Sequence, residues 1–156
     1  MRHKLAGPWR GWCAVESTVT LPASLDAPVG VAHAFVRAIN RQSAVELHAL
    51  MTEDHVFIDS LGNRAEGREK MKAGWEGYFG MVPDYTVAIE ETFPEGPVVL
   101  LFGTAQGTYS KDGKLRPENS WSTPAAWRAV VRDGLIAEWR VYADNEPIRQ
   151  VMARNR

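Results

Sequence analysis

Residues 55–71 read HVFIDSLGNRAEGREKM, and their pattern changes within these seventeen positions. His55, Phe57 and Asp59 alternate with apolar neighbours, which indicates a strand with two different faces. The next residues, SLGNRAEG, contain the glycine and asparagine that are typical of a turn. A single carboxylate, that of Asp59, therefore stands where a strand ends and a turn begins.

Helical spacing dominates the chain around this strand. Residues 68–80 place apolar and aromatic side chains, Trp75 and Tyr78 among them, along one side of a predicted helix. Upstream, Asp26 reads as the cap of a first helix that has Pro28 in its first turn, and Ser43 reads as the cap of a shorter second helix. Three helices are therefore predicted before the chain changes character.

From residue 85 onward every segment is predicted to be a strand. The segments are YTVAIEETF, PVVLLFGTAQGTYS, SWSTPAAWRAVV and LIAEWRVYA, separated by turn sequences, of which RDG is interpreted as a three-residue hairpin loop. Helices first and consecutive strands last predict an α+β domain in which a curved antiparallel sheet carries helices on one face. Residues 1–25 lack periodicity and are predicted to be an extension, so that the domain spans residues 26–156.

Composition excludes several classes of function. The 156 residues suffice for one domain, and 18 Lys and Arg against 19 Asp and Glu leave a formal charge of −1, without the basic stripe that nucleic-acid binding requires. The single cysteine cannot form an internal disulfide, and the histidines lack zinc-site spacing. No apolar run is long enough to span a membrane. We therefore expect a cytoplasmic protein without a cofactor, a metal, a nucleic-acid partner or a membrane span.

The order of elements, together with FVRAIN, LMTEDHVFIDSLG, EGREKM and DGLIAEWRVYADNEPI, resembles the nuclear transport factor 2-like superfamily in its SnoaL-like and ketosteroid isomerase-like branch. The resemblance covers roughly residues 27–152. It implies a cone of bent sheet closed by three N-terminal helices, an apolar pocket inside, and pairing as a homodimer. Members include isomerases, cyclases, dehydratases and hydrolases as well as proteins that only bind, so the fold does not fix the function.

The same resemblance places Asp59 on the general base of ketosteroid isomerase. An isomerase of that kind also needs an oxyanion hole, but Phe35 stands where its tyrosine should be. If RDG is a three-residue loop, Trp127 falls on the second acid. Limonene epoxide hydrolase, a relative of this fold, has an aspartate where Val141 stands here. From the residues alone, Asp59 is either a base, which predicts a raised pKa, or the acceptor of a turn, which predicts a lowered one.

Strand parity and helical spacing predict the rest of the pocket. Trp139 and Val141 share a face of the last strand, and Asp144 is a second candidate acid that more simply caps the next turn. The residues expected to contact a substrate are Phe35, His55, Phe57, Trp75, Tyr78, Trp127, Trp139 and Val141.

Two functions stay open at this point. In the first, Asp59 removes a proton beside a carbonyl of a small hydrophobic substrate, and an aromatic donor such as Tyr78 or Trp127 steadies the enolate. In the second, the pocket only binds a small hydrophobic ligand, and Asp59 serves the turn.

Overall fold

Six strands form one curved, open sheet that four α-helices accompany in the computed structural model, which describes residues 23–156. The elements are α1 (Ala23–Asn40), α2 (Ala44–Ala49), β1 (Met51–Ile58), β2 (Arg64–Glu66), α3 (Arg68–Met81), β3 (Thr86–Glu95), β4 (Val98–Thr108), β5 (Ser120–Arg132), β6 (Leu135–Ala143) and α4 (Glu146–Arg154). The α+β class is confirmed. The predicted extension of residues 1–25 lies almost wholly outside the described residues.

The strands follow the order β2-β1-β6-β5-β4-β3. Every neighbouring pair is antiparallel except β1 and β6, which run parallel. The prediction of a purely antiparallel sheet is therefore wrong, and the sheet is mixed. Alternation of apolar and polar residues looks the same in both kinds of pairing, so it could not reveal the direction in which β1 joins the sheet.

The helices differ from the prediction at both ends of the domain. Ser43 caps α2 as expected, since its Oγ accepts the backbone N–H of Glu46 at 3.2 Å. Asp26, the predicted cap of α1, instead lies inside the helix. Pro28 also lies inside α1, where its missing N–H removes one backbone hydrogen bond without ending the helix. α4 was not predicted, because its sequence is polar and Val151 is its one fully buried residue. Within residues 23–156 no helix combines the length and apolar composition of a membrane span.

The sheet bends where β3 and β4 meet. The register of β3 shifts between Ile89 and Glu91, and Gly103 on β4 lies opposite Ile89. A Cβ at Gly103 would lie 1.8 Å from the carbonyl oxygen of Ala88. Only glycine allows the two backbones to approach so closely, and this approach helps to curve the sheet around the helices.

The hairpin between β5 and β6 is tighter than predicted. Arg132 pairs with Leu135, so only Asp133 and Gly134 lie in the loop, and both have positive φ angles, 53° and 75°. These angles are those of a type I′ turn, whose twist matches that of the flanking strands. The interpretation of RDG as a three-residue loop is therefore wrong, and the placement of Trp127 on the second acid, which depended on that loop length, loses its basis.

Candidate functional site

A cavity of about 420 Å³ lies between α3 and the concave face of the sheet. Its sixteen lining residues come from β1, α3, β4, β5, β6 and three connecting segments: Phe57, Asp59, Ser60, Met71, Gly74, Trp75, Tyr78, Tyr85, Ala105, Trp121, Thr123, Trp127, Trp139, Val141, Ala143 and Asn145. Seven of them are aromatic, and Asp59 is the one with a carboxylate.

The alternation of side chains along each strand determines which residues line the sheet side of the cavity. Trp139, Val141 and Ala143 all line it, as their alternation on β6 predicts. Trp127 on β5 lies directly opposite Val141 in the register. Trp127 and Trp139, which we call the cavity floor, are each only 1% exposed, because the sheet and the helices cover the rest of their surface.

A row of aromatic side chains forms the adjoining wall. Successive ring centroids are 6.3 Å apart from Phe57 to Trp75, 6.2 Å from Trp75 to Tyr78, 5.0 Å from Tyr78 to Tyr85 and 6.0 Å from Tyr85 to Trp121. These are the distances of favourable aromatic pairs, so the rings hold one another in place. We refer to these five residues as the aromatic wall.

Two hydroxyl groups on this wall have no acceptor among residues 27–156, whose side chains the structure describes. They belong to Tyr78 and Tyr85, and neither is fully enclosed by protein, whereas the indole N–H groups of Trp75 and Trp121 are enclosed and also have no partner there. Burial raises the pKa of Tyr78, and burial together with the neighbouring Tyr78 raises the pKa of Tyr85. Both side chains therefore stay protonated at neutral pH and can donate hydrogen bonds.

Asp59 is held by the turn that follows β1. Its Oδ1 accepts the backbone N–H groups of Leu61 and Asn63, and its Oδ2 accepts the Asn63 side-chain amide, each at 2.9 Å. Gly62, with a φ of 87°, completes the turn. We call residues 59–63 the Asp59 turn.

These contacts determine the charge of Asp59. Partial burial raises the pKa of the carboxyl group, but the hydrogen bonds from Asn63, Leu61 and Gly62 together outweigh burial and leave the pKa below its ordinary value. Asp59 is therefore ionised at neutral pH, and the same hydrogen bonds make it a weak base. The direction of the shift is the one that a turn acceptor predicts.

Two of the predicted contact residues lie outside the cavity lining. Phe35 is fully buried and packs on Trp139, with ring centroids 4.7 Å apart. His55 is also fully buried, and its Nδ1 donates to the Ile136 carbonyl oxygen at 2.8 Å. Burial lowers the pKa of His55, and its Nε2 has no partner among the described residues. The other six predicted contact residues, Phe57, Trp75, Tyr78, Trp127, Trp139 and Val141, line the cavity.

Sequence reasoning missed the polar contact that joins the Asp59 turn to the end of β6. Asn145 donates its side-chain amide to the Ser60 hydroxyl at 2.6 Å, and both residues line the cavity. They are 85 positions apart, so no local pattern links them. Asp144 lies outside the lining and accepts the backbone N–H of Glu146, the capping role that the sequence favoured. Among the described residues no group of three His, Cys, Asp or Glu side chains could hold a metal ion.

Solved structures with this fold are numerous, and their sequences are distant from this chain. A SnoaL-like polyketide cyclase from Shewanella denitrificans is 17% identical with a TM-score of 0.70 over 81% of this chain and 97% of its own. An epoxide hydrolase of the limonene epoxide hydrolase type from M. tuberculosis is 19% identical with a TM-score of 0.69 over 83% and 92%. A protein with a ketosteroid isomerase-like fold from Catenulispora acidiphila, solved with trimethylamine, is 18% identical with a TM-score of 0.66 over 76% and 88%.

The chain matches no curated protein sequence at a significant level. The model of the SnoaL-like domain, however, matches residues 32–139, which hold α1 from its middle onward, all of β1 to β5, and most of β6. This match covers more than half of the chain. The protein therefore belongs to the SnoaL-like domain family.

Proposed function

We propose that the cavity binds a small, largely apolar molecule that carries an oxygen acceptor such as a carbonyl group. The size of the cavity, about 420 Å³, lies within the range of small-molecule pockets, and its wall is mainly aromatic and aliphatic with few polar groups. Similar solved structures, which include one named as a SnoaL-like polyketide cyclase and one solved with trimethylamine, support a pocket for small organic molecules.

The observation that carries this proposal is the pair of tyrosine hydroxyls without an acceptor. A tyrosine hydroxyl that opens into an apolar cavity and has no protein partner can donate to an acceptor on a bound molecule. Tyr78 and Tyr85 lie next to each other on the aromatic wall, so one oxygen of a bound molecule can accept from either or both.

The test is a titration with hydrophobic ketones followed by tryptophan fluorescence. Tyr78→Phe and Tyr85→Phe each keep the ring and remove the donor, so we expect each to weaken binding by about 3- to 10-fold. Tyr142→Phe is the matched control, since Tyr142 is 47% exposed and does not line the cavity. Equal affinity of all three variants and the wild type would contradict the proposal.

A second candidate function is general-base catalysis by Asp59, and the ionised carboxylate on the cavity wall favours it. A weak base removes protons only from acidic carbons, so the substrate would be a compound whose reacting carbon lies between two carbonyl groups. Asp59 would take that proton, and the enolate oxygen would accept a hydrogen bond from an aromatic donor such as Tyr78 or Trp127. Isomerisation, aldol-type cyclisation and dehydration can all follow from this enolate.

Deuterium exchange in D₂O separates the two functions. Wild type and Asp59→Asn are compared by NMR on 1,3-dicarbonyl compounds and on simple ketones. Catalysis predicts enzyme-dependent labelling of the 1,3-dicarbonyls by wild type and its loss in Asp59→Asn. Binding without labelling in either protein would leave Asp59 as a residue of the turn alone.

We also infer that the outer face of the sheet pairs with a second copy of the chain. Phe93 and Phe102 are 50% and 42% exposed on this face and contact each other with ring centroids 5.8 Å apart. Exposed apolar clusters of this kind support an interface between copies. Sedimentation should give a dimer for wild type and a monomer for Phe102→Glu, whereas a monomeric wild type would contradict the inference.

A further inference from the structure

The charge on the cavity wall is unbalanced. Asp59 is ionised, and the sixteen lining residues include no lysine, arginine or histidine. The groups that donate hydrogen bonds to Asp59, from Leu61, Gly62 and Asn63, are all neutral. Within residues 23–156 it takes part in no salt bridge.

Two arginines are neighbours of the Asp59 turn in the strand register or in the sequence, and neither forms a salt bridge with Asp59. Arg140 is the register partner of Ile58; its guanidinium carbon lies 4.9 Å from the centre of the Tyr142 ring, and its Nε is buried without a hydrogen-bond partner among the described residues. Arg64, which follows the Asp59 turn, pairs with Glu66 at 3.2 Å. Neither balances the carboxylate, so a bound ligand is the group that can.

The rest of the cavity wall is suited to a cationic ligand with an apolar body. Seven of the sixteen lining residues are aromatic. Aromatic rings attract alkylammonium groups through the negative faces of their π systems and also cover the apolar parts of such molecules. An anion would instead be repelled by Asp59, and a neutral molecule would gain no charge attraction from it.

We propose that the cavity selects cationic ligands, namely alkylammonium compounds whose charged nitrogen lies at Asp59 and whose apolar body packs on the aromatic wall. This proposal rests on the proposed function, because it adds a second recognised group, an ammonium nitrogen at Asp59, to the apolar molecule that the same cavity binds.

Three ligands with one apolar body test it. At pH 7, 1-aminoadamantane is a cation, 1-adamantanol is neutral and 1-adamantanecarboxylate is an anion. Their dissociation constants are measured by calorimetry and by tryptophan fluorescence. We expect the ammonium compound to bind wild type about tenfold more tightly than the alcohol, and the carboxylate to bind most weakly.

Two variants locate the effect. Asp59→Asn should reduce the tenfold ratio between the ammonium compound and the alcohol to about one, because it removes the charge at the site. Asp133→Asn is the matched control, since it makes the same change in net charge at an exposed turn outside the cavity. It should keep the ratio at its wild-type value.

The outcomes distinguish the two proposals. If the alcohol binds wild type as tightly as the ammonium compound, the selectivity is refuted while the binding of apolar molecules stands. If Asp133→Asn lowers the ratio as much as Asp59→Asn does, the net charge of the protein is responsible, and the selectivity is again refuted. If none of the three ligands binds at millimolar concentration, both proposals fail for a body of this shape.

Discussion

The cavity floor and the Asp59 turn line the same space but are built by different interactions. Trp127 and Trp139 are held by packing on all sides and are 1% exposed. Asp59 is held by three hydrogen bonds within five residues, beside Leu61, which is 70% exposed. We therefore expect substitutions in the cavity floor to lower the stability of the domain strongly, and substitutions in the Asp59 turn to alter the polar groups of the cavity with little loss of stability.

The largest expected effect lies at the floor. Trp139→Ala should lower the free energy of unfolding by about 4 kcal/mol, because it removes a fully buried ring that also supports Phe35. Urea unfolding followed by circular dichroism measures the change. Leu115→Ala, in an exposed connecting segment, is the control and should cost less than about 1 kcal/mol. Equal losses at the two positions would show that the floor is not part of the core.

A smaller effect is expected where the sheet bends. Gly103→Ala should cost about 2–3 kcal/mol, because the new Cβ would collide with the Ala88 carbonyl group, which is backbone and cannot rotate away. Gly77→Ala is the matched control, since Gly77 lies in α3 with no atom near its added Cβ. That substitution should raise stability by about 0.5–1 kcal/mol, as alanine favours a helix more than glycine does. A stable Gly103→Ala protein would mean that the bend is not fixed by this contact.

The same contrast explains what the sequence could predict. Periodicity places Trp75 and Tyr78 on α3 and Trp139 and Val141 on β6, and these residues line the cavity because buried faces follow the period of their element. The parallel pairing of β1 with β6 could not be predicted, because the alternation of apolar and polar residues is the same in parallel and antiparallel strands. The contact of Asn145 with Ser60 could not be predicted either, because the two residues are 85 positions apart. His55 was expected to contact a substrate, but it is fully buried against Phe35, outside the cavity lining. The hydrophobic period of a helix or strand predicts which of its faces is buried, but which residues cover that face depends on the tertiary fold.

At the Asp59 turn the expected effect on stability is about 1 kcal/mol. Asn63→Ala removes the side-chain donor to Oδ2 but keeps the backbone donor to Oδ1. The pKa of Asp59 should rise toward its ordinary value, because one of the hydrogen bonds that lower it is lost. Carboxyl carbon NMR shifts, measured against pH, follow the pKa directly. An unchanged pKa would show that the Asn63 side chain does not hold the carboxylate.

The smallest effect, and the one that decides the state of Asp59, is a dependence on pH. The pKa of Asp59 is lower in the folded protein than in the unfolded chain, so its contribution to stability is present above the unfolded pKa of about 3.9 and disappears as the pH falls through the folded pKa. Asp59→Asn has no such contribution, while every other carboxyl group is the same in both proteins. The difference in unfolding free energy between wild type and variant should thus be constant from about pH 7 to pH 5 and shrink below about pH 4. A difference that grows as the pH falls would mean a raised pKa of Asp59, which is the property of a desolvated base and would support catalysis by Asp59.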